Sequence, residues 1–424
     1  MSLANYYAAT VGARPERPRL QQHLEAQVCI VGAGFAGLAT ALGLAERGVR
    51  DLVILEAEHV GFGASGRNGG FVFGGYSLDC ADLLAQLGPQ RARAVYSLTR
   101  QAVDLIRERV ARHAIDCELV EGGALLADWF DDDAMLRRQQ RLMEDHFGVH
   151  WTFLDKAALD AWVRSDRYSA GLVEPDAFHF HPLKYALGEA AAIDALGGRI
   201  FEGSPVRAID TKGGATRVTT PAGSVRARHV VIAGGGYLAG LVAPLERAIL
   251  PIATYVMTTE PLGGALAELI PSRAAIYDTR FAFDYYRRLN DTRLLWGGRI
   301  SVRERRPEHI ARFLKHDMLK VFPSLRDVRV DHAWGGMMSY ARHKMPQIGR
   351  LPSGLWYGLG FGGHGVAPTT AAGELLAAAI AHGEPIPEGF QRYGLARMFR
   401  PAGLAAAQAT YAWLQWKDLL RERM

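Results

Sequence analysis

Gly32, Gly34 and Gly37, with Glu56 further along, are the first residues whose types and spacing can do chemistry. In Gly32-Ala33-Gly34-Phe35-Ala36-Gly37 the first glycine permits a tight turn. The second lets backbone approach a pyrophosphate, and the third allows a helix to pack closely on a strand. The unpaired N–H groups and positive end of that helix, from Phe35 and Ala36 onward, would face the phosphates. Glu56, followed by Ala57, supplies a carboxylate for ribose hydroxyls. A carboxylate there repels a 2′-phosphate, which disfavours NADP. A dinucleotide is the implied ligand.

Three later glycine runs narrow the dinucleotide. Val60 to Gly70 carries Gly61, Gly63, Gly66, Gly69 and Gly70, too many for ordinary strand or helix. Such backbone suits direct contact with a ligand, with Ser65, Arg67 and Asn68 supplying polar groups; the plain alternative is a surface loop. An NAD enzyme would instead begin a new helix and strand here. Val230-Val231-Ile232-Ala233-Gly234-Gly235-Gly236 reads as a buried strand entering another glycine turn. Short strands at Arg199-Ile200 and Val206-Arg207-Ala208-Ile209 would carry the chain back beneath the nucleotide. The last run, Leu355 to Val366, holds Gly362, Gly363, His364, Gly365 and Val366 ahead of a small-residue helix over 367–381. Unpaired N–H groups there can stabilise negative charge on a reduced flavin. His364 is either part of that site or a structural cap. These returns to one sheet point to FAD.

The elements that must position these residues are legible. Ala26 to Val31 is an apolar, β-branched run of the kind buried in a parallel sheet. Leu38 to Arg47 reads as a helix closed by Gly48, and Asp51 to Leu55 as a second strand ending at Glu56. The length of 424 residues exceeds what one hydrophobic core serves, so two domains are expected. A net charge of +5, with arginines 303, 305, 306 and 312 interrupted by Glu304 and Glu308, argues against a nucleic-acid partner. The three cysteines, Cys29, Cys80 and Cys117, form no Cys-x-x-Cys pair, as expected in a reducing compartment. The uncharged stretch 28–44 is too short for a membrane span, and its glycines explain it better. A cytoplasmic protein with no integral span and no metal site is expected.

The chain resembles the D-amino-acid oxidase/sarcosine oxidase superfamily of flavoproteins, and within it the bacterial γ-glutamylputrescine oxidase subgroup. Carrying the likeness, besides the glycine motifs, are Tyr6-Tyr7-Ala8-Ala9, Ile115-Asp116-Cys117 with Gly122-Gly123, Ser165-Asp166-Arg167-Tyr168 and His181-Pro182-Leu183. Further on come Gly188-Glu189-Ala190, Asp284-Tyr285-Tyr286-Arg287, Trp334 with Gly336, Met345 to Arg350 and Gly363 to Val366. The resemblance implies an α/β fold, α+β overall. Its Rossmann-like FAD domain would be built from discontinuous segments, 1–82, 152–245 and 336–384. An antiparallel-sheet substrate domain, 83–151 and 246–335, would roof the substrate, and 385–424 would be a C-terminal helical extension. Strands over 253–259 and 294–298 and amphipathic helices over 94–113, 307–320 and 404–422 agree with that plan.

The same resemblance implies hydride transfer from the carbon beside an amine to flavin, then hydrolysis of the imine. Such chemistry needs a neutral amine in an apolar pocket rather than a strong acid–base pair. Candidate substrate-side residues are Tyr255, Phe283, Tyr285, Tyr286 and Trp334, which are otherwise core. Arg287 or Arg299 would hold a substrate carboxylate. One of Arg342, His343 and Lys344 would face the flavin. The chain departs from sarcosine oxidases in having Met337, Met338 and Ser339 where those enzymes carry the flavin-linking cysteine. Non-covalent FAD is therefore expected. The lysine tied to oxygen activation falls in 294–296, which holds none. The acceptor is thus oxygen, or a quinone or carrier protein. Three functions follow: oxidation of γ-glutamylputrescine or a related polyamine derivative, dehydrogenation of an N-alkyl or D-amino acid, or a non-catalytic flavin-binding subunit.

Overall fold

The computed structural model describes residues 5–238, 240–281 and 283–422. Its first sheet has eight strands. Six lie in the order Gln347–Arg350, Trp356–Leu359, Ser224–Ile232, His23–Val31, Leu52–Leu55 and Arg199–Phe201; Thr216–Thr219 joins Ser224–Ile232, and Ala208–Asp210 joins it in turn. Val28 to Val31 pair in parallel with Leu52 to Leu55 on one side and with His229 to Ile232 on the other. Apart from the half-buried His229, these side chains are buried on both faces, which is why the runs are otherwise apolar. The helices Phe35–Glu46 and Val366–His382 pack so closely that a Cβ on Gly373 would lie 2.6 Å from the Ala39 methyl. Arg109, fully buried on the Pro89–Arg112 helix, ties all three helices together, donating to Glu46 at 2.6 Å and Glu374 at 2.5 Å.

The second sheet, also eight-stranded, runs Val330–Ala341, Ile249–Thr259, Leu294–Ser301, Tyr285–Arg288, Ala275–Asp278, Ala124–Ala127, Gly171–Glu174 and Thr152–Leu154. Its two faces differ. Residues such as Leu125, Val173, Tyr255, Ile276, Tyr286 and Trp296 point away from the first sheet into a separate core backed by the Pro307–Val321 helix. Residues one position along, among them Tyr277, Tyr285, Arg287 and Trp334, point towards the first sheet's loops. Strand alternation makes that division.

Three expectations need correction. The second sheet is mixed, not purely antiparallel, because Ala275–Asp278 runs parallel to Ala124–Ala127. Thr152–Leu154 and Gly171–Glu174 belong to it, so the middle FAD segment cannot begin at 152; the Val330–Ala341 strand likewise crosses the boundary set at 336. The helix expected over 94–113 begins at Pro89, with proline in its first turn, and packs on the Val366–His382 helix rather than on the second sheet. The remaining helices stand where periodicity put them, at Pro307–Val321, Val366–His382 and Arg400–Arg421. The last closes over the edge of the second sheet, where Tyr411 accepts from Ile300 N at 3.1 Å and Asp418 from Phe281 N at 3.0 Å.

Glu189, on the Pro182–Ala195 helix, is fully buried and accepts from the Tyr185 hydroxyl at 3.1 Å. Burial pushes its carboxyl up to about 8, against the opposing attraction of Arg109. The native chain therefore keeps a proton that the unfolded chain releases, and this group's contribution falls as pH rises from the ordinary Glu range to about 8. Glu189→Gln is expected to raise the thermal midpoint at pH 8 and leave it unchanged near pH 4; equal shifts at both would contradict the assignment.

Candidate active site

Between the carboxyl ends of the first sheet and the inner face of the second lies a cavity of about 980 Å³. On the glycine side its wall is set by close backbone contacts. Gly32 has φ +107, and a Cβ there would meet the Ala233 carbonyl oxygen at 2.7 Å. A Cβ on Gly37 would lie 2.0 Å from the Gly32 carbonyl oxygen, so only glycine lets the Phe35–Glu46 helix start where it does. Its N-cap residue, Gly34, has no side chain, and Phe35 N donates instead to the Ser65 hydroxyl at 2.9 Å. Glu56 accepts from Ala33 N at 2.7 Å and from Glu58 N at 3.0 Å. Burial raises its carboxyl above the ordinary range, opposed by those two N–H groups.

Most of the residues expected to hold a dinucleotide meet at this cavity. Gly32, Gly34, Phe35, Ala36, Glu56 and Ala57 line it together with Ser65, Arg67, Asn68 and Gly69. Val206, Ala233, Gly234 and Gly235 join them from the second return of the chain. Gly362, Gly363, His364, Gly365 and Val366 join from the third. Gly37, Gly66 and Gly70 do not line it but pack just behind. A Cβ on Gly66 would strike the Gly61 carbonyl oxygen at 2.3 Å, and one on Gly70 the Phe180 carbonyl oxygen at 2.1 Å. The Val366–His382 helix has no side-chain cap at Gly365, and a Cβ there would meet open space. That helix end faces the cavity unobstructed.

The expected substrate-side residues divide by strand alternation. Tyr285 and Phe283 line the cavity, and the Tyr285 ring is pressed against Gly69 and Gly297, where a Cβ would lie 2.6 and 2.1 Å from it. Tyr255 and Tyr286 do not. Tyr286 points to the opposite face, stacked on Trp296 at 4.4 Å, and donates to the Tyr168 hydroxyl at 3.3 Å. Tyr255 packs edge-on against Phe313 and donates to the Arg303 carbonyl. Trp334 and Arg287 sit on the inner face yet behind the glycine loop. Trp334 Nε1 donates to the Arg67 carbonyl at 2.9 Å. Arg287 is buried and donates to the carbonyls of Gly69 at 2.7 Å and Phe180 at 2.8 Å. Arg287 is thus committed to backbone, and Arg299, which does line the cavity, to Asp317 at 2.6 and 3.0 Å. Neither is free for a substrate carboxylate.

Of the three basic candidates near the last turn, Lys344 reaches the cavity wall, whereas Arg342 is exposed and His343 contacts the Gly394 carbonyl at 3.2 Å. His364 lines the cavity with Nε2 3.1 Å from the Phe73 carbonyl, and burial brings its pKa down to about 4. It is therefore neutral at ordinary pH, with the Nε2 proton on Phe73. Several wall residues escaped the sequence reading: Phe71, Phe73, Tyr96, Tyr277 and Glu174. Phe73 and Tyr277 stack at 5.6 Å. A signal existed for Glu174, an acid closing the apolar run Gly171-Leu172-Val173. Cys29 and Cys117 are buried, and among the described residues no His, Cys, Asp and Glu group suits a metal.

This donor set fits FAD: a carboxylate for ribose hydroxyls, helix N-termini for pyrophosphate, and a second helix end reached by the same cavity. Comparison with known proteins agrees. A family model for FAD-dependent oxidoreductases, DAO, matches residues 27–379. The chain is 39% identical to γ-glutamylputrescine oxidoreductase of Escherichia coli over 376 residues, 88% of each chain. It is 34% identical to a probable oxidoreductase, OrdL, of Haemophilus influenzae, over 89% of this chain and 88% of that one. Among solved structures, glycine oxidase from Geobacillus kaustophilus superposes with a TM-score of 0.73 at 22% identity, over 88% of this chain and 99% of that one.

Two variants test the glycine side. Gly37→Ala must displace the helix or the Gly32 turn, and is expected to cut the flavin-to-protein absorbance ratio about tenfold or more. Arg287→Lys keeps the charge but loses the planar fork that spans two carbonyls. It is expected to purify with flavin and lose it on dialysis faster than the parent. Full retention in both would contradict these roles.

Proposed function

The chain belongs to the DAO family of FAD-dependent oxidoreductases, and from that premise we propose that it oxidises a small amine at the carbon beside its nitrogen. The observation that carries this reading is a cavity walled on one side by the glycine motifs and on the other by an aromatic sheet face. FAD, when bound, supplies the hydride acceptor, which no protein side chain can provide. The residues that would hold it, without a covalent link, are those of the three glycine returns with Glu56, Ser65, Arg67 and Asn68. The chain has Met337 and Met338, not cysteine, at the position where a thioether would form.

Under this reading the uncapped start of the Val366–His382 helix places its N–H groups and positive dipole end where negative charge on the cofactor is stabilised. Phe73, Tyr277, Phe283 and Tyr285 form the aromatic wall against which the substrate lies. A dry, apolar wall disfavours an unpaired ammonium at the reacting carbon and so favours the neutral, reactive amine. Arg287 and Trp334 act at one remove, as positioning residues that pin the loop from Arg67 to Gly70. A role in direct contact with substrate is not proposed for Tyr255 or Tyr286, which face the other core.

The substrate we propose is γ-glutamylputrescine or a related polyamine derivative, on the strength of the relative at 39% identity that carries that name. Oxygen is the proposed acceptor. A second reading, with a quinone or carrier as acceptor, draws on the lack of lysine in Leu294 to Trp296, where Trp296 is fully buried in the outer core. No helix among the described residues is long and apolar enough to cross a membrane.

Anaerobic titration of the purified holoprotein with a panel of amines, including γ-glutamylputrescine, tests the proposal. Bleaching of the visible flavin band by at least one amine is the expected result, followed by peroxide release when air is admitted. No bleaching with any amine would overturn the amine reading. Bleaching that air reverses only slowly, without peroxide, would favour the second acceptor.

A further inference from the structure

Glu174 closes the Gly171–Glu174 strand on the cavity face of the second sheet and is only 6% exposed. Its in-register neighbours across two strands are Ala124 and Ala275, which place no polar side chain beside the carboxylate. Among the described residues its one hydrogen bond is long, 3.4 Å from Gly74 N to Oε1. Among the described residues no Lys, Arg or His stands within ion-pairing distance of it. Arg100, the nearby cation, is instead paired with the exposed Asp176 at 2.9 Å. Other lining acids are occupied or solvated. Glu56 is held by two backbone N–H groups, Asp79 caps the Cys80–Leu87 helix through Ala81 N at 2.7 Å, and Glu58 is exposed.

The surroundings of Glu174 are aromatic and uncharged. Tyr96 and Tyr277 line the same wall, and burial raises both phenols, as it does the Cys80 thiol, so all three stay neutral. Phe73 stacks on Tyr277 with ring planes 8° apart. A carboxylate placed among such groups without a cation gains nothing for folding; a neutral amide of the same shape would serve better. A carboxylate backed by aromatic faces is, however, the arrangement that binds an ammonium ion.

We propose that Glu174 binds a cationic nitrogen of the substrate and is the residue that makes the cavity selective for amines bearing an ammonium group. The proposal deepens the amine reading above and rests on it for the word substrate. It names a recognition role: the carboxylate pairs with the ammonium, and Phe73, Tyr96 and Tyr277 exclude water around the pair. Burial pushes the Glu174 carboxyl up to about 8, opposed by the Gly74 N–H and Arg100. An entering cation favours its ionised form, so pairing and proton release go together. The nitrogen held is either the reacting amine, which must then pass a proton to the carboxylate to become the neutral, reactive form, or a second, remote one that stays charged, and the two make different predictions.

The test compares parent holoenzyme with Glu174→Gln, which keeps shape and removes charge. Binding is read first with butyltrimethylammonium, a cation with no N–H to oxidise, through perturbation of the flavin absorption band, with 1-pentanol as the neutral control. The variant is expected to bind the cation about tenfold or more weakly, bind the alcohol equally, and melt at the same temperature or higher. Glu174→Asp, which retains the charge, is expected to recover part of the lost affinity. Turnover then separates the two sources. A raised KM for both butylamine and putrescine places the reacting nitrogen at Glu174, and a raised KM for putrescine alone places the remote one there. Cation binding within about twofold of the parent, or a fall in melting temperature without a selective loss of the cation, overturns the proposal. Because the first readout requires no turnover, it stands even where no amine bleaches the parent flavin, the result that would defeat the amine reading instead.

Discussion

The contact between Gly37 and the Gly32 carbonyl oxygen sets the geometry on which the cavity depends. A side chain at Gly37 would begin 2.0 Å from that oxygen, and the Phe35–Glu46 helix would have to rise off the sheet. Held down, the helix directs its first N–H groups over the carboxyl ends of strands His23–Val31 and Leu52–Leu55, beside Glu56. The same closeness recurs one layer out, where Gly373 packs against Ala39 and brings the Val366–His382 helix alongside. Its uncapped N-terminus thereby reaches the cavity. Two helix ends converge on one space because glycines allow the layers to approach. Arg109, fully buried on the Pro89–Arg112 helix, bridges Glu46 and Glu374 and locks that arrangement.

The second sheet adds a different constraint, that of alternation. Tyr285 and Tyr286 are adjacent in sequence and chemically alike, yet one lines the cavity and the other stacks on Trp296 in the outer core. Arg287, back on the inner face, is consumed by the Gly69 carbonyl of the loop that Tyr285 touches and by the Phe180 carbonyl. The substrate-facing wall is therefore made of every second residue, and its character comes from Phe73, Tyr277 and Tyr285 with Glu174 at the strand end. Electrostatically this wall is quiet: His364 is neutral, Arg299 is paired with Asp317, and Glu174 has no cationic partner among the described residues.

Much of the glycine side was legible in the sequence because its physics is local. A tight turn, a close helix approach and a strand-end acid all leave marks within one βαβ unit, and Gly32 to Glu56 carries them all. The later returns at Gly234 and Gly362 were readable for the same reason. The aromatic wall was less so, since an alternating strand must be put in register before either face can be assigned; Tyr255 and Tyr286 were placed on the wrong one. Strand membership was also hidden. Thr152–Leu154 and Gly171–Glu174 are short segments that pair with each other, and only the second joins them to Ala124–Ala127 and, beyond it, to Ala275–Asp278, far off in sequence. The run Gly171-Leu172-Val173 marks Glu174 as a strand-end acid, but such acids are usually solvated, and only the packing of Tyr96, Phe73 and Tyr277 around it shows that this one is buried.

A crystal structure of this chain with FAD and a bound ammonium ligand is the most direct test. The dinucleotide is expected along Gly32, Glu56, Ser65 and Gly234, with no covalent bond to the protein. The ligand is expected between the Gly363 to Val366 turn and the Tyr277–Tyr285 face, its nitrogen towards Glu174. A nucleotide lying outside this cavity, or a ligand on the Tyr286–Trp296 side of the sheet, would contradict this placement.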